Sequence, residues 1–167
     1  MNRLIIITGA MGVGKSTVAK LIKEELNVPV IHHDWLRRFH LDENWTQASF
    51  KEADMAFDNI VHIAKNYFSH DYPVVVIDFL YLDWIKKLES LFPGVDIRIF
   101  TLTVNDNAEL ERRVLSERDS GWTLTNESIK INHSFDAAPV LENEVKFDTT
   151  ELTARQTADR ILKELNQ

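Results

Sequence analysis

Short apolar-rich runs alternate with longer segments of mixed character along the chain. Four such runs lie at 4–7, 28–31, 74–77 and 95–104, and a weaker one lies at 145–147. An apolar run of this kind, bounded by glycine, proline or polar residues, is typical of a strand that is buried on both faces of a parallel sheet. The pattern therefore predicts about five strands.

The segments between these runs carry apolar residues at helical spacing. Helices are predicted from Lys15, at 47–69, at 82–92, from Asp106 to about Arg118, near 126–135, and after Thr153. Strands that alternate with helices indicate an α/β fold, with a parallel sheet and helices on both of its faces. Since no internal repeat or linker divides the chain, residues 1–167 are expected to form a single domain.

Composition narrows the function classes. With 44% hydrophobic and 27% charged residues, the 167-residue chain is typical of a globular protein. Its net charge of −7 makes nucleic acid an unlikely partner. The absence of cysteine excludes disulfides, thiol catalysis and cysteine-ligated zinc. The apolar run at 4–7 is too short for a membrane span or a signal-peptide core, so we expect a cytoplasmic protein without a membrane partner.

The connection between the first strand and the first helix carries one specific motif. Residues 9–16 match G-x-x-x-x-G-K-[ST], the phosphate-binding P-loop. Its glycines let successive backbone N–H groups point at one anion, and the following helix adds its positive dipole end. Lys15 is expected to reach the β- and γ-phosphates, and the Ser16 hydroxyl to bind Mg²⁺. The expected nucleotide-binding residues of this segment are Gly9, Ala10, Met11, Gly12, Val13, Gly14, Lys15, Ser16 and Thr17.

Two large classes of P-loop protein do not fit the rest of the sequence. A GTPase normally carries an Asn-Lys-x-Asp motif that recognises guanine, and this chain has none. A motor-type ATPase usually places a glutamate beside the aspartate that ends its third strand, whereas Phe79 follows Asp78 here. The remaining function is phosphoryl transfer to an acceptor hydroxyl or phosphate.

The sequence resembles the small P-loop kinases, a group that includes gluconate, shikimate, adenylylsulfate, nucleotide and polynucleotide kinases, and it is similar to chloramphenicol phosphotransferase. Beside the P-loop, the resemblance rests on Asp34 after the second strand and on the Asp-x-x-Arg spacing to Arg37. It implies a P-loop fold with a small lid segment at about 116–140. It also implies ATP and Mg²⁺ as cofactors and a small molecule as the acceptor.

The same resemblance implies roles for residues on the acceptor side. Asp34 would be the general base or would organise Mg²⁺, and Arg37 would contact the acceptor. Asp78 ends the third strand, and we expect either a water-mediated contact with Mg²⁺ or a hydrogen bond to the P-loop. At 78–82 the chain has Asp-Phe-Leu-Tyr-Leu where nucleotide kinases have Asp-Gly-Phe-Pro-Arg, and the missing arginine argues against a nucleoside monophosphate acceptor.

Several aromatic residues and histidines follow the second strand. Trp35, Phe39 and Trp45 are candidates for an aromatic wall of the acceptor pocket, although packing explains them equally well. One of His32 and His33 is a candidate for lining that pocket. Because adjacent residues of a strand point to opposite faces, the two histidines are not expected to share a metal ion.

Arginines near the predicted lid are candidates for the nucleotide site. Arg118 is expected to contact the phosphates as a catalytic residue, and Arg112 or Arg113 to stack on adenine. The alternative for Arg112 and Arg113 is a surface ion pair with Glu109 or Glu117. The loop after the fifth strand is also expected to contribute to the nucleotide site, with Asp148 and Thr149 near adenine.

The sequence thus predicts a Mg²⁺-dependent ATP phosphotransferase that acts on a hydroxyl of a small molecule. The first alternative is a kinase of nucleosides, nucleotides or polynucleotide 5′-hydroxyls. The second is an ATP-binding regulatory module without catalytic activity. A monomer or a homodimer is expected.

Overall fold

Five parallel strands form one sheet among the residues that the computed structural model describes, which are 1–39, 41, 48–116 and 123–166. The order across the sheet is β2-β3-β1-β4-β5. This architecture confirms the predicted α/β fold. The strands are β1 (Arg3–Gly9), β2 (Val30–His32), β3 (Val74–Asp78), β4 (Asp96–Thr103) and β5 (Glu144–Asp148).

Helices connect the strands and cover both faces of the sheet. They are α1 (Lys15–Leu26), α2 (His33–Arg37), α3 (Phe50–Ser69), α4 (Leu82–Ile85), α5 (Leu88–Leu91), α6 (Asn107–Leu115), α7 (Thr125–Ala137) and α8 (Ala154–Leu165). None of the helices that the described residues form is long and apolar enough to cross a membrane.

Three helix boundaries differ from the sequence-based prediction. The segment 82–92 forms two short helices, α4 and α5, instead of one. Helix α3 begins at Phe50 because a capping box, in which the Ser49 amide donates to Glu52 at 2.6 Å, fixes its first turn. Helix α6 ends before Ser116, whose backbone is extended and whose hydroxyl donates to the carbonyl of Arg113 at 2.7 Å.

The apolar run of β1 is buried because both faces of the sheet are covered. Leu4 and Ile6 belong to the core cluster beneath α3, α4 and α5, whereas Ile5 and Ile7 belong to the cluster beneath α1, α6 and α8. All four side chains are fully buried. The continuous apolar pattern therefore follows from the central position of β1, where alternate side chains point into different cores.

The order of the strands decides where a ligand binds. Because all strands are parallel, their carboxyl ends meet at one edge, where β1 ends at Gly9 and its neighbour β3 ends at Asp78. The chain passes from β1 to one side of the sheet and later to the other, and ligands of open α/β sheets bind at such a switch point. The P-loop lies at this point.

The predicted lid segment, about 116–140, is only partly described. Residues 117–122 lie outside the described residues. Helix α7, which falls in the same segment, packs against β4, where buried Asn132 accepts from the amide of Val104 at 3.0 Å and donates to its carbonyl oxygen at 2.8 Å. The lid role of this segment stays a prediction.

Candidate functional site

Backbone conformation gives the P-loop its shape. Gly9, Gly12 and Gly14 have φ angles of 133°, 97° and 98°, a region that side chains other than glycine rarely adopt. Gly14 is also the N-cap of α1, where no described side chain caps the helix and no acidic residue occupies the first turn. The first amides of α1 and its positive dipole end are therefore suited to binding an anion.

Lys15 bends back over the loop that precedes it. Its Nζ donates a hydrogen bond of 2.7 Å to the carbonyl oxygen of Ala10 and lies 5.2 Å from the centre of the Phe79 ring. Ser16 and Thr17 are exposed in the first turn of α1. The ammonium group of Lys15 and the hydroxyl of Ser16 thus both lie at the loop that is predicted to bind phosphate.

Phe79 has a left-handed backbone at the end of β3. Its φ is 71°, a conformation that costs a residue with a side chain about 1–2 kcal/mol. The strand geometry holds it there, since its amide donates to the carbonyl of Ile7 at 2.9 Å. The result is that the ring lies between Lys15, at 5.2 Å, and Tyr81, at 4.8 Å.

Asp78 is buried next to a histidine that the sequence did not link to it. Its side chain is 5% exposed, and its Oδ2 accepts a hydrogen bond of 2.7 Å from Nδ1 of His32. The other oxygen, Oδ1, is buried and has no hydrogen-bond partner among the described residues. A buried carboxylate oxygen without a partner is costly, so this atom is suited to a water molecule or a cation.

These observations test whether the residues fit Mg²⁺. Oxygen atoms of Asp78 and Ser16 are ligands of the type that Mg²⁺ prefers. The described part of the chain contains no cluster of three or more acidic or histidine side chains that would hold a metal ion. The residues therefore fit an ion that takes most of its ligands from nucleotide phosphates and water, as Mg²⁺ usually does.

Asp34 lies in the first turn of α2, at the same edge of the sheet. Its side chain is 59% exposed, and its Oδ1 lies 3.4 Å from Nδ1 of the fully buried His33. Desolvation raises the pKa of Asp34, whereas the hydrogen bond from His33 and that residue's charge lower it. The positive charges of Lys15 and Arg37 add to this effect, so the pKa lies below its ordinary value.

A cavity lies beside α2. Its volume is about 210 Å³, and it is lined by Arg37, Ala48, Ser49, Phe50, Ala53 and Tyr81. Burial raises the pKa of the Tyr81 phenol, while the charge of Arg37 lowers it and that of Asp34 raises it. Tyr81 thus lies near Arg37 and Asp34, two residues that the sequence analysis assigned to the acceptor side.

Trp35 and Phe39, two of the three aromatic residues predicted to line an acceptor pocket, are not among the described residues that line this cavity. Trp35 packs against His32, with ring centres 4.2 Å apart and planes tilted by 33°, and Phe39 is 83% exposed. Trp45 lies outside the described residues. The aromatic lining comes instead from Phe50 and Tyr81.

The other side of the P-loop carries the residues predicted near adenine. Arg113 donates to the carbonyl oxygens of Thr149 and Thr150, both at 2.8 Å, and its Nε donates to Glu109 at 2.6 Å. Arg112 is 69% exposed and forms a surface ion pair with Glu109, which was the alternative considered for both arginines. The structure thus brings Arg113 to the loop after β5, and the adenine contact itself stays a prediction.

Asp148 and Arg118 were also predicted to belong to the nucleotide site. The carboxylate of Asp148 accepts hydrogen bonds from the amide of Thr150 at 3.0 Å and from that of Asn105 at 3.3 Å. Desolvation raises the pKa of Asp148, but the hydrogen bonds from Thr150 and Asn105 and the charge of Arg113 together bring that pKa below its ordinary value. Arg118, predicted to contact the phosphates, lies outside the described residues.

Sequence reasoning missed His32 as a partner of Asp78, and it missed Phe50 and Tyr81. A signal existed for His32, because it and Asp78 end two strands that lie side by side in register. The Ser49-x-x-Glu52 capping box was a signal for the first turn of α3. No local pattern indicated that this turn lies against Tyr81.

Comparison with known proteins identifies the family. A family model described as an AAA domain matches residues 5–131, more than half of the chain. The chain belongs to this family. It is 26% identical to a putative adenylate kinase of Pyrococcus furiosus, in a match that covers 98% of this chain and 84% of that protein. It is also 38% identical to a shikimate kinase of Bacteroides fragilis, but that match spans only 35% of each chain.

Solved structures share the whole fold. A gluconokinase of Sinorhizobium meliloti 1021 has a TM-score of 0.66 and 21% identity, covering 98% of this chain and 95% of that one. A shikimate kinase of Bacteroides thetaiotaomicron has a TM-score of 0.66 and 20% identity over 99% of each chain. Together with the family model and the relatives, these matches confirm the predicted membership of the small P-loop kinases.

Proposed function

We propose that the protein transfers the γ-phosphoryl group of ATP, in the presence of Mg²⁺, to a hydroxyl group of a small molecule. One observation carries the proposal: the carboxylate of Asp34 lies close enough to the P-loop for the charge of Lys15 to lower its pKa. A residue that only capped a helix would not need to face the phosphate-binding lysine. The proximity of Asp34 to Lys15 supports Asp34 as the group that meets the acceptor.

The P-loop binds the phosphates. Backbone amides of residues 9–14 and the first turn of α1 surround the β- and γ-phosphates, and Lys15 exchanges its bond to Ala10 for a phosphate oxygen. In phosphoryl transfer, positioning and electrostatic stabilisation supply most of the catalysis. Hydrogen-bond donors that are fixed in place before the reaction supply both the positioning and the electrostatic stabilisation.

Ser16 and Asp78 would hold Mg²⁺, Asp78 through its buried Oδ1 and an intervening water molecule. The bound ion neutralises charge on the β- and γ-phosphates. His32 fixes the orientation of Asp78 through the 2.7 Å bond to Oδ2, which leaves Oδ1, without a hydrogen-bond partner among the described residues, as the oxygen that would serve the ion. An oriented carboxylate of this kind is typical of metal sites.

The acceptor hydroxyl attacks in line. Its oxygen forms a bond to the γ-phosphorus while the bond from that phosphorus to the β–γ bridging oxygen breaks, and ADP leaves with the electron pair. The hydroxyl proton goes to Asp34, whose half-exposed carboxylate returns it to solvent. A carboxylate of lowered pKa is a weak base, but the transition state is loose, so orienting the hydroxyl matters more than removing its proton early.

The remaining predicted residues complete the nucleotide site. Arg113, Asp148 and Thr149 contact adenine or support the loop that does, and Arg112 lies in the same turn of α6. Arg118 contacts the transferred phosphate from the lid segment, and closure of that segment excludes water. The hydrogen bonds of Arg113 to Thr149 and Thr150 support an adenine-side role, because they fix the loop after β5.

Release of ADP tests the proposed function. The full chain is incubated with ATP, Mg²⁺ and single members of a panel of hydroxyl compounds and nucleoside monophosphates, and ADP and phosphorylated product are measured. We expect ADP release that depends on the acceptor, with a product heavier by one phosphoryl group. ATP binding without acceptor-dependent release for any compound would contradict the proposal and favour an ATP-binding regulatory module.

A further inference from the structure

Phe79 keeps a backbone conformation that glycine would adopt without strain. Its φ of 71° lies in the left-handed region, where a residue with a large side chain is rarely found. A hydrogen bond of 2.9 Å from its amide to the carbonyl oxygen of Ile7 holds this conformation at the end of β3. Strained residues of this kind concentrate at functional sites, where the surrounding structure maintains them. A large side chain retained at such a position indicates a role for the ring itself.

Packing within the main core does not supply that role. Phe79 is 9% exposed, but it is a member of neither of the two core clusters that the described residues form. Its ring instead contacts the rings of Tyr81, at 4.8 Å between ring centres, and of His33, at 5.7 Å, with planes inclined by 75° and 65°. These two edge-to-face contacts restrict the orientation of the Phe79 ring.

The face of the Phe79 ring lies beside the lysine of the P-loop. The Nζ atom of Lys15 lies over the ring, 5.2 Å from its centre. A cation within about 6 Å of the centre is attracted by the negative charge on the ring face, and the attraction increases where water is excluded. Because the ring is nearly buried, this attraction is stronger than it would be at an exposed site.

An ammonium group that is already held binds phosphate more tightly than a freely moving one. A lysine side chain loses rotamer freedom when a ligand immobilises it, and that loss weakens binding. The Phe79 ring and the carbonyl oxygen of Ala10 restrict Lys15 before a nucleotide binds. When Nζ exchanges Ala10 for a phosphate oxygen, its contact with the ring persists in the proposed arrangement, because that attraction is directed at a face and not at a single atom.

We infer that Phe79 is a positioning residue of the phosphate site, whose ring holds the ammonium group of Lys15 where the β- and γ-phosphates bind. The inference rests on the proposed function, because phosphate binding by Lys15 is part of it. It adds to the nucleotide side a residue that lies outside the P-loop motif. Phe79 acts through Lys15 and does not itself bind the nucleotide.

A double-mutant cycle tests whether Phe79 acts through Lys15. Calorimetry measures the affinity of the full chain for a non-hydrolysable ATP analogue with Mg²⁺ in the parent, in Phe79→Leu, in Lys15→Ala and in the double variant. Leucine keeps the apolar bulk but has no aromatic face. We expect Phe79→Leu to weaken binding about three- to tenfold in the parent, and by less than about twofold in the Lys15→Ala background.

Fluorinated rings separate the electrostatic contact from the shape of the side chain. A monofluorinated or trifluorinated phenylalanine in place of Phe79 keeps the ring, while fluorine withdraws electron density from its face and weakens its attraction for a cation. Affinity for the analogue should fall stepwise, by about threefold or more with three fluorines. Phe92 is the matched control, because its buried ring lies 5.5 Å from Nζ of Lys65, near the amino end of β4 and away from the P-loop. The same replacements at Phe92 should leave the affinity unchanged.

Unchanged or increased affinity along the fluorinated series would overturn the inference, and so would an equal effect of Phe79→Leu with and without Lys15. If Phe79→Leu does not fold, the fluorinated series decides alone. The proposed function fails differently. A folded Lys15→Ala variant that binds the analogue as tightly as the parent contradicts phosphate binding at the P-loop. Analogue binding that responds to fluorination, without ADP release for any acceptor, contradicts only phosphoryl transfer.

Discussion

The P-loop at 9–16 and the cavity beside α2 are built from different parts of the chain. The P-loop is a continuous segment whose ligand groups are mostly backbone amides, held by three glycines with positive φ. The cavity is assembled from α2, the first turn of α3 and Tyr81, which are distant in sequence. Side chains alone give it its chemistry.

This difference explains how one fold serves many acceptors. Backbone amides bind any triphosphate in the same way, so the phosphate side varies little in its chemistry. In the proposed arrangement the acceptor side would change with each substitution of Phe50, Tyr81 or Arg37, none of which belongs to the P-loop. Mutations in the P-loop and mutations in the cavity beside α2 should therefore have different effects on folding and on ligand binding.

The largest effect is expected in the P-loop backbone. A Cβ atom at Gly9 would overlap the carbonyl oxygen of Leu102, whereas one at Gly14 would meet nothing within 4 Å, although both residues have positive φ. Gly9→Ala should therefore lower the free energy of unfolding by at least about 4 kcal/mol or prevent folding. Gly14→Ala should cost about 1–2 kcal/mol. Urea denaturation measures both, and equal losses would contradict the close approach of β1 and β4.

Loss of the P-loop lysine should weaken nucleotide binding while the fold remains. Lys15→Ala removes a point charge from the β- and γ-phosphates, and we expect ATP to bind about ten- to a hundredfold more weakly by calorimetry. Lys20→Ala is the control, since Lys20 is an exposed lysine of the same helix. A folded Lys15→Ala variant with unchanged ATP affinity would argue against phosphate binding at this loop.

A single buried hydroxyl links the two regions. Thr8, fully buried in β1, donates to the carbonyl oxygen of Leu80 at 2.7 Å, and Leu80 precedes Tyr81 of the cavity. Thr8→Val keeps the shape but leaves that carbonyl without its partner, so the free energy of unfolding should fall by about 1–3 kcal/mol. Thr8→Ser, which keeps the hydroxyl, should retain the hydrogen bond. If Thr8→Val is as stable as the parent, the bond contributes nothing.

The smallest effect concerns acid stability. Because the pKa of Asp34 is lower in the folded chain than its ordinary value of 3.8, ionisation of Asp34 stabilises the fold above that value. This contribution is lost as the pH falls through the lowered pKa. The stability difference between the parent and Asp34→Asn, measured by urea denaturation, should shrink as the pH falls below 3.8. A difference that grows on acidification would have the wrong sign.

Local patterns predicted the parts of the molecule that local interactions determine. The P-loop motif and the capping box of Thr153 and Gln156 each lie within a few residues, and the structure contains both. The apolar runs predicted the strands because the sheet is covered on both faces. The predicted end of α6 was three residues too late. The pattern did not indicate that the backbone of Ser116 is extended or that its hydroxyl bonds to the carbonyl of Arg113.

Pairs that meet only in the folded sheet were harder to predict. His32 and Asp78 lie 46 residues apart in sequence and become neighbours because β2 pairs with β3. Phe50 and Tyr81 meet because α3 packs over the end of β3, and the sequence indicates no register for that contact. The P-loop motif therefore predicted the proposed nucleotide side, whereas the cavity beside α2 required the structure.

The most direct measurement compares ATP affinity and phosphoryl transfer in Asp34→Asn, using the acceptor that the ADP-release screen identifies. Asparagine keeps the size of the side chain but neither takes up a proton nor carries a charge. We predict that ATP affinity stays within about twofold while transfer falls by about 10²–10⁴-fold. Asp83→Asn, at a side chain 87% exposed, is the control and should change neither quantity. An Asp34→Asn variant that transfers phosphate at the parent rate would contradict the role of Asp34 and with it the proposed arrangement of the acceptor.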